Sequence, residues 1–357
     1  MTASRIECGV LGATGMVGQQ LVRRLDGHPW FRVTWLCASE RSAGRAYGDV
    51  PWLLASPMPD AVCALRIDSP SSTRAPQLVF SALDAAAAVT LEPAYAAAGH
   101  VVVSNTRTHR LDADVPLVVP EVNADHLALI RRQREVRGWR GAIVTNPNCS
   151  TVFLAMVLAA LRPFGVRRVI VTTLQALSGA GYPGVPAWDG LGNVIPFIDG
   201  EEEKIESETV KILGSLEDAR IVPHNAAVSA QATRVAVLDG HTESIAIEFD
   251  HRPAIDAIVT ALREFRGRPQ HLGLPSAPAA PVLVLDEPNR PQPRLDVDRA
   301  NGMAVCVGRV RPCPVLHVKL VALGHNTIRG AAGAAILNAE LLAADGWLDE
   351  GGARWSS

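Results

Sequence analysis

Apolar residues along the chain fall into two regimes. Up to about residue 145 they come in short compact runs: residues 5–11 around IECGV, VTWLCA at 33–38, VCALRI at 62–67, QLVFSAL at 77–83, HVVVSN at 100–105 and AIVT ending at Thr145. Runs with little polar alternation suit strands covered on both faces. Helical stretches lie between them, QQLVRRL behind the first run and an alanine-rich segment at 85–98. Strand and helix in alternation predict a doubly wound parallel sheet. Past Asn146-Pro147 the texture changes. A helix-like STVFLAMVLAALRPFG is followed by longer, alternating runs, RRVIVTTLQAL (167–177), TRVAV (233–237), TESIAIEF (242–249) and VLHVKLVAL (315–323), which predict a mixed or antiparallel sheet with one covered face. The proline-rich stretch 268–293 reads as surface loop, and IRGAAGAAILNAELLAA near the end as an amphipathic helix of small residues. There is no internal repeat.

Length agrees with this division, because 357 residues exceed one typical core and imply two domains, with the boundary near 145. Composition narrows the class further. With 48% apolar residues, 20% charged and a formal charge of −2, the chain reads as globular and has no global field for nucleic acid. Cysteines at 8, 37, 63, 149, 306 and 313 show neither a disulfide framework nor a C-x-x-C pair, so a reducing compartment is expected and no metal-ligand spacing is seen. No apolar stretch approaches the roughly 18 residues of a membrane span, and the N-terminus lacks a signal pattern. A cytoplasmic location is expected.

The first candidate site is the turn Gly12-Ala-Thr-Gly-Met-Val-Gly18 between the first strand and helix. Glycines there let backbone approach a pyrophosphate, which the helix N-terminus then stabilises, so Gly12, Thr14, Gly15, Met16 and Val17 are expected to bind a dinucleotide. The second strand ends in Ala38-Ser39-Glu40-Arg41-Ser42. Ser39, Arg41 and Ser42 favour a 2′-phosphate and hence NADP, whereas Glu40 keeps NAD open. Ser81, within the QLVFSAL run, joins this cofactor set.

The second is NPNCST at 146–151. Pro147 stops the strand, Asn148 and Ser150 are capping residues, and a helix from Thr151 would point its dipole at Cys149 and favour the thiolate. By itself the motif also fits a buried structural thiol. A base in reach decides between the two, and His241, in the turn Leu238-Asp-Gly-His-Thr242 between two strands, is best situated among the histidines.

Taken together, GATGMVG, ASERSAG (38–44), DVPLVVPEVN (114–123), NPNCST, LQALSGAGYPGV (174–185), GEEEKIESE (200–208), RVAVLDGHTE (234–243) and HNTIRGAAGAAILNAELL (325–342) resemble the aspartate-semialdehyde dehydrogenase family, in its archaeal and fungal branch. The resemblance runs in order from residue 6 to about 345. It implies NADP-dependent reductive dephosphorylation of L-aspartyl 4-phosphate to L-aspartate 4-semialdehyde, or the reverse, on the route to threonine, methionine and lysine. It also implies a thioester on Cys149, His241 as general acid/base, Gln175 orienting the intermediate and Asn148 near the oxyanion. Arg234 would grip the substrate carboxylate, Glu201 the amino group, and Lys204 and Arg110 the phosphate. Asn326 would stand near the nicotinamide amide, which brings the final helix back to the first domain.

On this basis the expected fold is α/β. An N-terminal Rossmann-type NADP-binding domain at 1–147, completed by the C-terminal helix at 325–357, adjoins an α+β catalytic and dimerisation domain with a mixed sheet at 148–324, in a homodimer or homotetramer. The chain departs from the family pattern in two blocks. Ser104-Asn-Thr-Arg-Thr-His-Arg110 carries an additional arginine, Arg107, and Ala232-Thr233 and Ala236 stand beside Arg234. Reaction type is therefore safer than substrate. A malonyl-CoA type acyl-CoA reductase, or a paralogue acting on a modified aspartyl phosphate, is the alternative.

Overall fold

A computed structural model describes residues 5–71 and 74–348, so residues 349–357 of the expected C-terminal segment, with residues 1–4, lie outside the described residues. Six strands, β1 (Ile6–Leu11), β2 (Phe31–Cys37), β3 (Ile67–Asp68), β4 (Leu78–Ser81), β5 (Val101–Ser104) and β6 (Ala142–Thr145), form one sheet in the order β3-β2-β1-β4-β5-β6. Every pairing in it is parallel. This is the doubly wound arrangement that the compact apolar runs demand, since β4, β5 and β6 are buried at every position.

Local signals explain where these elements begin and end. Asp84 caps the helix Ala85–Ala98 by accepting from the Ala87 amide, and Gly99, at φ +113, ends it. The run at 62–67 does not form the single strand expected of it. Pro59 opens a short helical turn, Asp60–Cys63, that buries Val62, and only Ile67 and Asp68 join the sheet. Apolar residues split between two elements produce the same run in sequence as one strand.

The second sheet has seven strands in the order β13-β14-β15-β12-β7-β11-β8. They are β7 (Val166–Gln175), β8 (Val194–Ile195), β11 (Ala227–Val235), β12 (His241–Phe249), β13 (Val282–Leu285), β14 (Val305–Pro312) and β15 (Val318–Gly324); β9 (Ser215–Glu217) and β10 (Arg220–Val222) pair separately. The sheet is mixed, parallel for β7–β11 and β13–β14 and antiparallel elsewhere. Its covered face packs on the helix Cys149–Ala160, whose Val152, Phe153, Met156 and Val157 share a core with Val169, Val171, Ile245 and Ile247.

Two further expectations change. The stretch 268–293 is not merely loop, because Val282–Leu285 falls between Pro281 and Pro288 and pairs with β14 as an edge strand. The helix Gly333–Ala344, preceded by a π-helical turn at Ile328–Ala332, is buried over Gly333–Leu342 instead of being amphipathic. Its alanines permit close approach on all sides, and Ala335, Ile336, Leu337 and Leu341 join the core of Val10, Leu21, Phe80 and Val103.

Candidate active site

Strand register brings the site's second half together. Parallel pairing sets Arg234 of β11 beside Gln175 of β7, and antiparallel pairing sets Thr242 of β12 beside Leu174. The ends of β7 and β11 and the start of β12 therefore converge, carrying Gln175, Arg234 and His241. Against them stands Cys149, the first residue of its helix. Asn148 is the N-cap, its side-chain oxygen accepting from the amides of Ser150 and Thr151 at 3.0 and 3.2 Å. The helix thus starts at the cysteine and not at Thr151.

A cavity of roughly 650 Å³ joins Cys149, Gln175 and Arg234 to the glycine turn, while His241 is not among its lining residues and lies next to Gly179, which is. Gly15, Met16, Val17, Asn326, Asn148, Cys149, Gln175, Glu201, Lys204, Arg234, Arg107 and Arg110 all line it. Gly12 and Thr14, both half-buried, are not among the lining residues, Ser81 is fully buried while Ala82, Leu83 and Asp84 line the cavity, and Ser39, Arg41 and Ser42, which follow β2, do not line it.

The turn fits a dinucleotide on structural grounds. Gly12 has φ +75, and a Cβ there would lie 2.5 Å from the Ala82 carbonyl; at Gly18 it would lie 2.3 Å from the Gly12 carbonyl. No side chain caps the helix Met16–Leu25, leaving its N-terminal amides for an anion. Arg41 is exposed and, among the described residues, its side chain has no partner.

Polar contacts fix the substrate end. Glu201 Oε1 accepts from Asn148 Nδ2 at 2.6 Å and Gln175 Nε2 at 3.0 Å, while Oε2 pairs with Lys204 at 2.5 Å. Burial pushes the Glu201 carboxyl up, but Lys204, by charge and hydrogen bond, with Asn148 and Gln175, outweighs it and holds the carboxyl below its ordinary value. Arg234 Nη1 donates to the Ala176 carbonyl at 2.9 Å. Asn326 bridges, its oxygen accepting from Gly240 N and its amide donating to Ser178 Oγ, both at 2.8 Å.

His241 differs from its expected setting. Gly240, at φ +95, makes the turn, and His241 is already the first residue of β12, paired to Gly324 and fully buried. The Ala176 amide donates to Nδ1 at 3.0 Å, so the neutral ring carries its proton on Nε2, which has no partner among the described residues. Burial, aided by the charge of Arg234, lowers its pKa to about 3.

Cys149 also departs from expectation. Its surface is partly reachable from the cavity, yet the packing around it is dense. Burial first, then the Glu201 charge, pushes the thiol up to about 12, against Arg110, Lys204 and the Ser150 amide. The helix terminus favours thiolate, but desolvation and a neighbouring carboxylate favour thiol.

Sequence reasoning passed over Glu208. It accepts from Arg110 Nη1 at 3.0 Å and from the Asn148 amide at 2.6 Å. The signal was available, since Glu201, Lys204 and Glu208 fall on one face of the helix Glu201–Ile212 at i, i+3 and i+7. Gly330 was also missed; a Cβ there would lie 2.6 Å from that of Cys149.

A doubly wound sheet whose glycine turn opens toward a cysteine at a helix start defines a class, the dinucleotide-dependent dehydrogenases, and comparison with known proteins narrows it. Residues 7–130 match the model of the semialdehyde dehydrogenase NAD binding domain, and residues 158–329 that of the semialdehyde dehydrogenase dimerisation domain. The aspartate-semialdehyde dehydrogenase of Methanothermobacter thermautotrophicus is 50% identical over 343 residues, covering 94% of this chain and 99% of that protein. That of Saccharomyces cerevisiae is 44% identical over 354 residues, covering 95% and 97%. The crystal structure of aspartate semialdehyde dehydrogenase with NADP from Candida albicans superposes with a TM-score of 0.89 at 42% identity, over 96% of this chain and 99% of that one. The chain belongs to the aspartate-semialdehyde dehydrogenase family and is an oxidoreductase.

Proposed function

We propose that this enzyme interconverts L-aspartyl 4-phosphate and L-aspartate 4-semialdehyde with NADP, through a thioester on Cys149. One observation carries the reading: Cys149 opens a capped helix in the same cavity as the glycine turn, ringed by groups for a carboxylate, an ammonium and a phosphate. Gly12, Thr14, Gly15, Met16 and Val17 would hold the pyrophosphate, Ser39, Arg41 and Ser42 the 2′-phosphate, with Ser81 and Asn326 toward the nicotinamide. Bound NADP supplies the hydride acceptor in one direction and the donor in the other.

Cys149 Sγ forms the bond to C4 of the aldehyde as the thiol proton passes to the carbonyl oxygen; C4 then gives up its hydride and that oxygen its proton as the carbonyl re-forms, and the sulfur leaves as thiolate when phosphate takes the acyl group. The Cys149 amide and Asn148 stand near that oxygen. His241 is the acid/base group: at rest its Nε2–H can donate a hydrogen bond to that oxygen, and it accepts the hydroxyl proton in the other neutral tautomer, with its own proton on Nδ1. Gln175, held by Ser150 Oγ and Glu201 at 3.0 Å each, orients the acyl group. Arg234 binds the carboxylate as a fork. Glu201 takes the ammonium, and that incoming charge cancels the carboxylate that raises the Cys149 thiol, so the correct substrate assists its own nucleophile.

Among the described residues, 5–147 with 325–348 form the cofactor domain and 148–324 the catalytic and dimerisation domain of a homodimer or homotetramer in the cytoplasm, serving lysine, threonine and methionine biosynthesis. Exposed Ile170 and Leu174 on β7, with Val194 on β8, offer an apolar face for such assembly. The test is NADPH formation from aspartate semialdehyde. It is expected to require phosphate and to fall at least about a thousand-fold in Cys149→Ala. An enzyme that binds NADP but shows no phosphate-dependent turnover contradicts the reading.

A further inference from the structure

Four cations line the cavity: Arg107, Arg110, Lys204 and Arg234. Three are committed. Arg110 donates to Glu208 and to the Asn105 carbonyl and is 7% exposed; Lys204 pairs with Glu201; Arg234 donates to the Ala176 carbonyl. Arg107 is exposed, and among the described residues its side chain has neither hydrogen bond nor ion pair. Any of the other three must share or surrender a contact to serve an incoming anion, whereas Arg107 surrenders only water.

The loop bearing it is held on both sides. The Thr106 amide donates to Ser104 Oγ at 3.1 Å, and Thr108 Oγ1 donates to the Ala85 carbonyl at 3.0 Å. Asn105 is tied to the Ser81 carbonyl and to Asn146. Only the guanidinium is left free, at the carboxyl end of β5, where ligands of doubly wound sheets bind. It reaches across the cleft. A Cβ built on Gly200, the residue before Glu201, would lie 3.8 Å from Arg107 Nη1. That is ordinary van der Waals range, so the guanidinium lies beside the start of the helix that carries Glu201 and Lys204.

We propose that Arg107 grips the phosphoryl group of the substrate, as acyl phosphate in one direction and as inorganic phosphate in the other, and sets the enzyme's affinity for it. This rests on the acyl-phosphate reading above. A planar fork of donors matches phosphate oxygens, and an unpaired one binds without first breaking a protein contact.

The test is steady-state kinetics of the wild-type holoenzyme, Arg107→Gln and Arg107→Lys in the aldehyde-oxidising direction, varying phosphate, aldehyde and NADP in turn. In Arg107→Gln the KM for phosphate is expected to rise about ten-fold, the loss of one charge-assisted contact. KM for aldehyde and NADP should not move, and Arg107→Lys should restore part of the phosphate affinity. An unchanged phosphate KM overturns the assignment, as does a rise confined to NADP, which would place Arg107 on the cofactor's phosphates. A wild-type enzyme without phosphate dependence overturns both this assignment and the reading beneath it, while a phosphate-dependent wild type with an unaffected variant overturns the assignment alone.

Discussion

His241 is where position in the fold most alters a residue's chemistry. Its ordinary pKa near 6.5 is lowered to about 3 by burial, so the folded ring binds no proton between these values while the unfolded chain does. Two consequences share that sign. Stability should fall as pH drops through 6.5 toward 3, and kcat/KM should show no acid limb near 6.5 from this residue. A pH profile with a full one-proton limb there, absent from His241→Asn at its residual rate, contradicts the buried neutral ring. The residue's identity was legible from RVAVLDGHTE, and its burial was not. A histidine after Asp-Gly reads as turn, and only pairing with Gly324, 83 positions along the chain, shows that the strand has begun. Cys149 is similar. Its place at a helix start follows from NPNCST, but the Glu201 carboxylate that counteracts the helix arrives from 52 residues away.

At the scale of elements, legibility tracked how local the cause is. The helix Ala85–Ala98 was expected over the same residues because its cap and its glycine stop lie beside it in sequence. The edge strand Val282–Leu285 was hidden among prolines, since only its partner β14 makes it a strand. The Arg110–Glu208 pair joins a loop to a helix 98 positions on, and Arg329–Glu121 joins elements 208 apart. In the latter pair Arg329 Nη1 donates to Glu121 Oε1 at 2.8 Å and Nη2 to Oε2 at 2.5 Å, with both side chains fully buried. It clamps the π-helical turn behind Cys149 to the helical turn Pro120–Asn123. Removing one partner strands a buried charge, so Arg329→Met is expected to cost about 3–5 kcal/mol in chemical denaturation. The double variant with Glu121→Leu should recover most of that. Equal losses in single and double variants would show that the pair is not what holds the turn.

Over the whole molecule, two sheets of different construction meet at one cavity. Parallel strands supply a glycine turn and the free Arg107 at their carboxyl ends, and the mixed sheet supplies Gln175 and Arg234, with His241 fully buried next to Gly179 of the lining. The final helix closes the circuit by packing its alanines into the first core while Asn326 and Gly330, just before it, face the site. Among the described residues no helix is long and apolar enough to cross a membrane. Both sheets were foreseeable from apolar periodicity, and the convergence of their ends was not, because register is set by pairings that sequence does not display. The central claim is that Cys149 carries the acyl group between hydride transfer and phosphate attack. It is tested most directly by quenching the wild-type enzyme in acid after incubation with aspartate semialdehyde and NADP without phosphate, then weighing the peptide that contains residue 149. The account predicts an added aspartyl group on that peptide, released by hydroxylamine and absent once phosphate is supplied; an unmodified peptide from an enzyme that has already formed NADPH would contradict it.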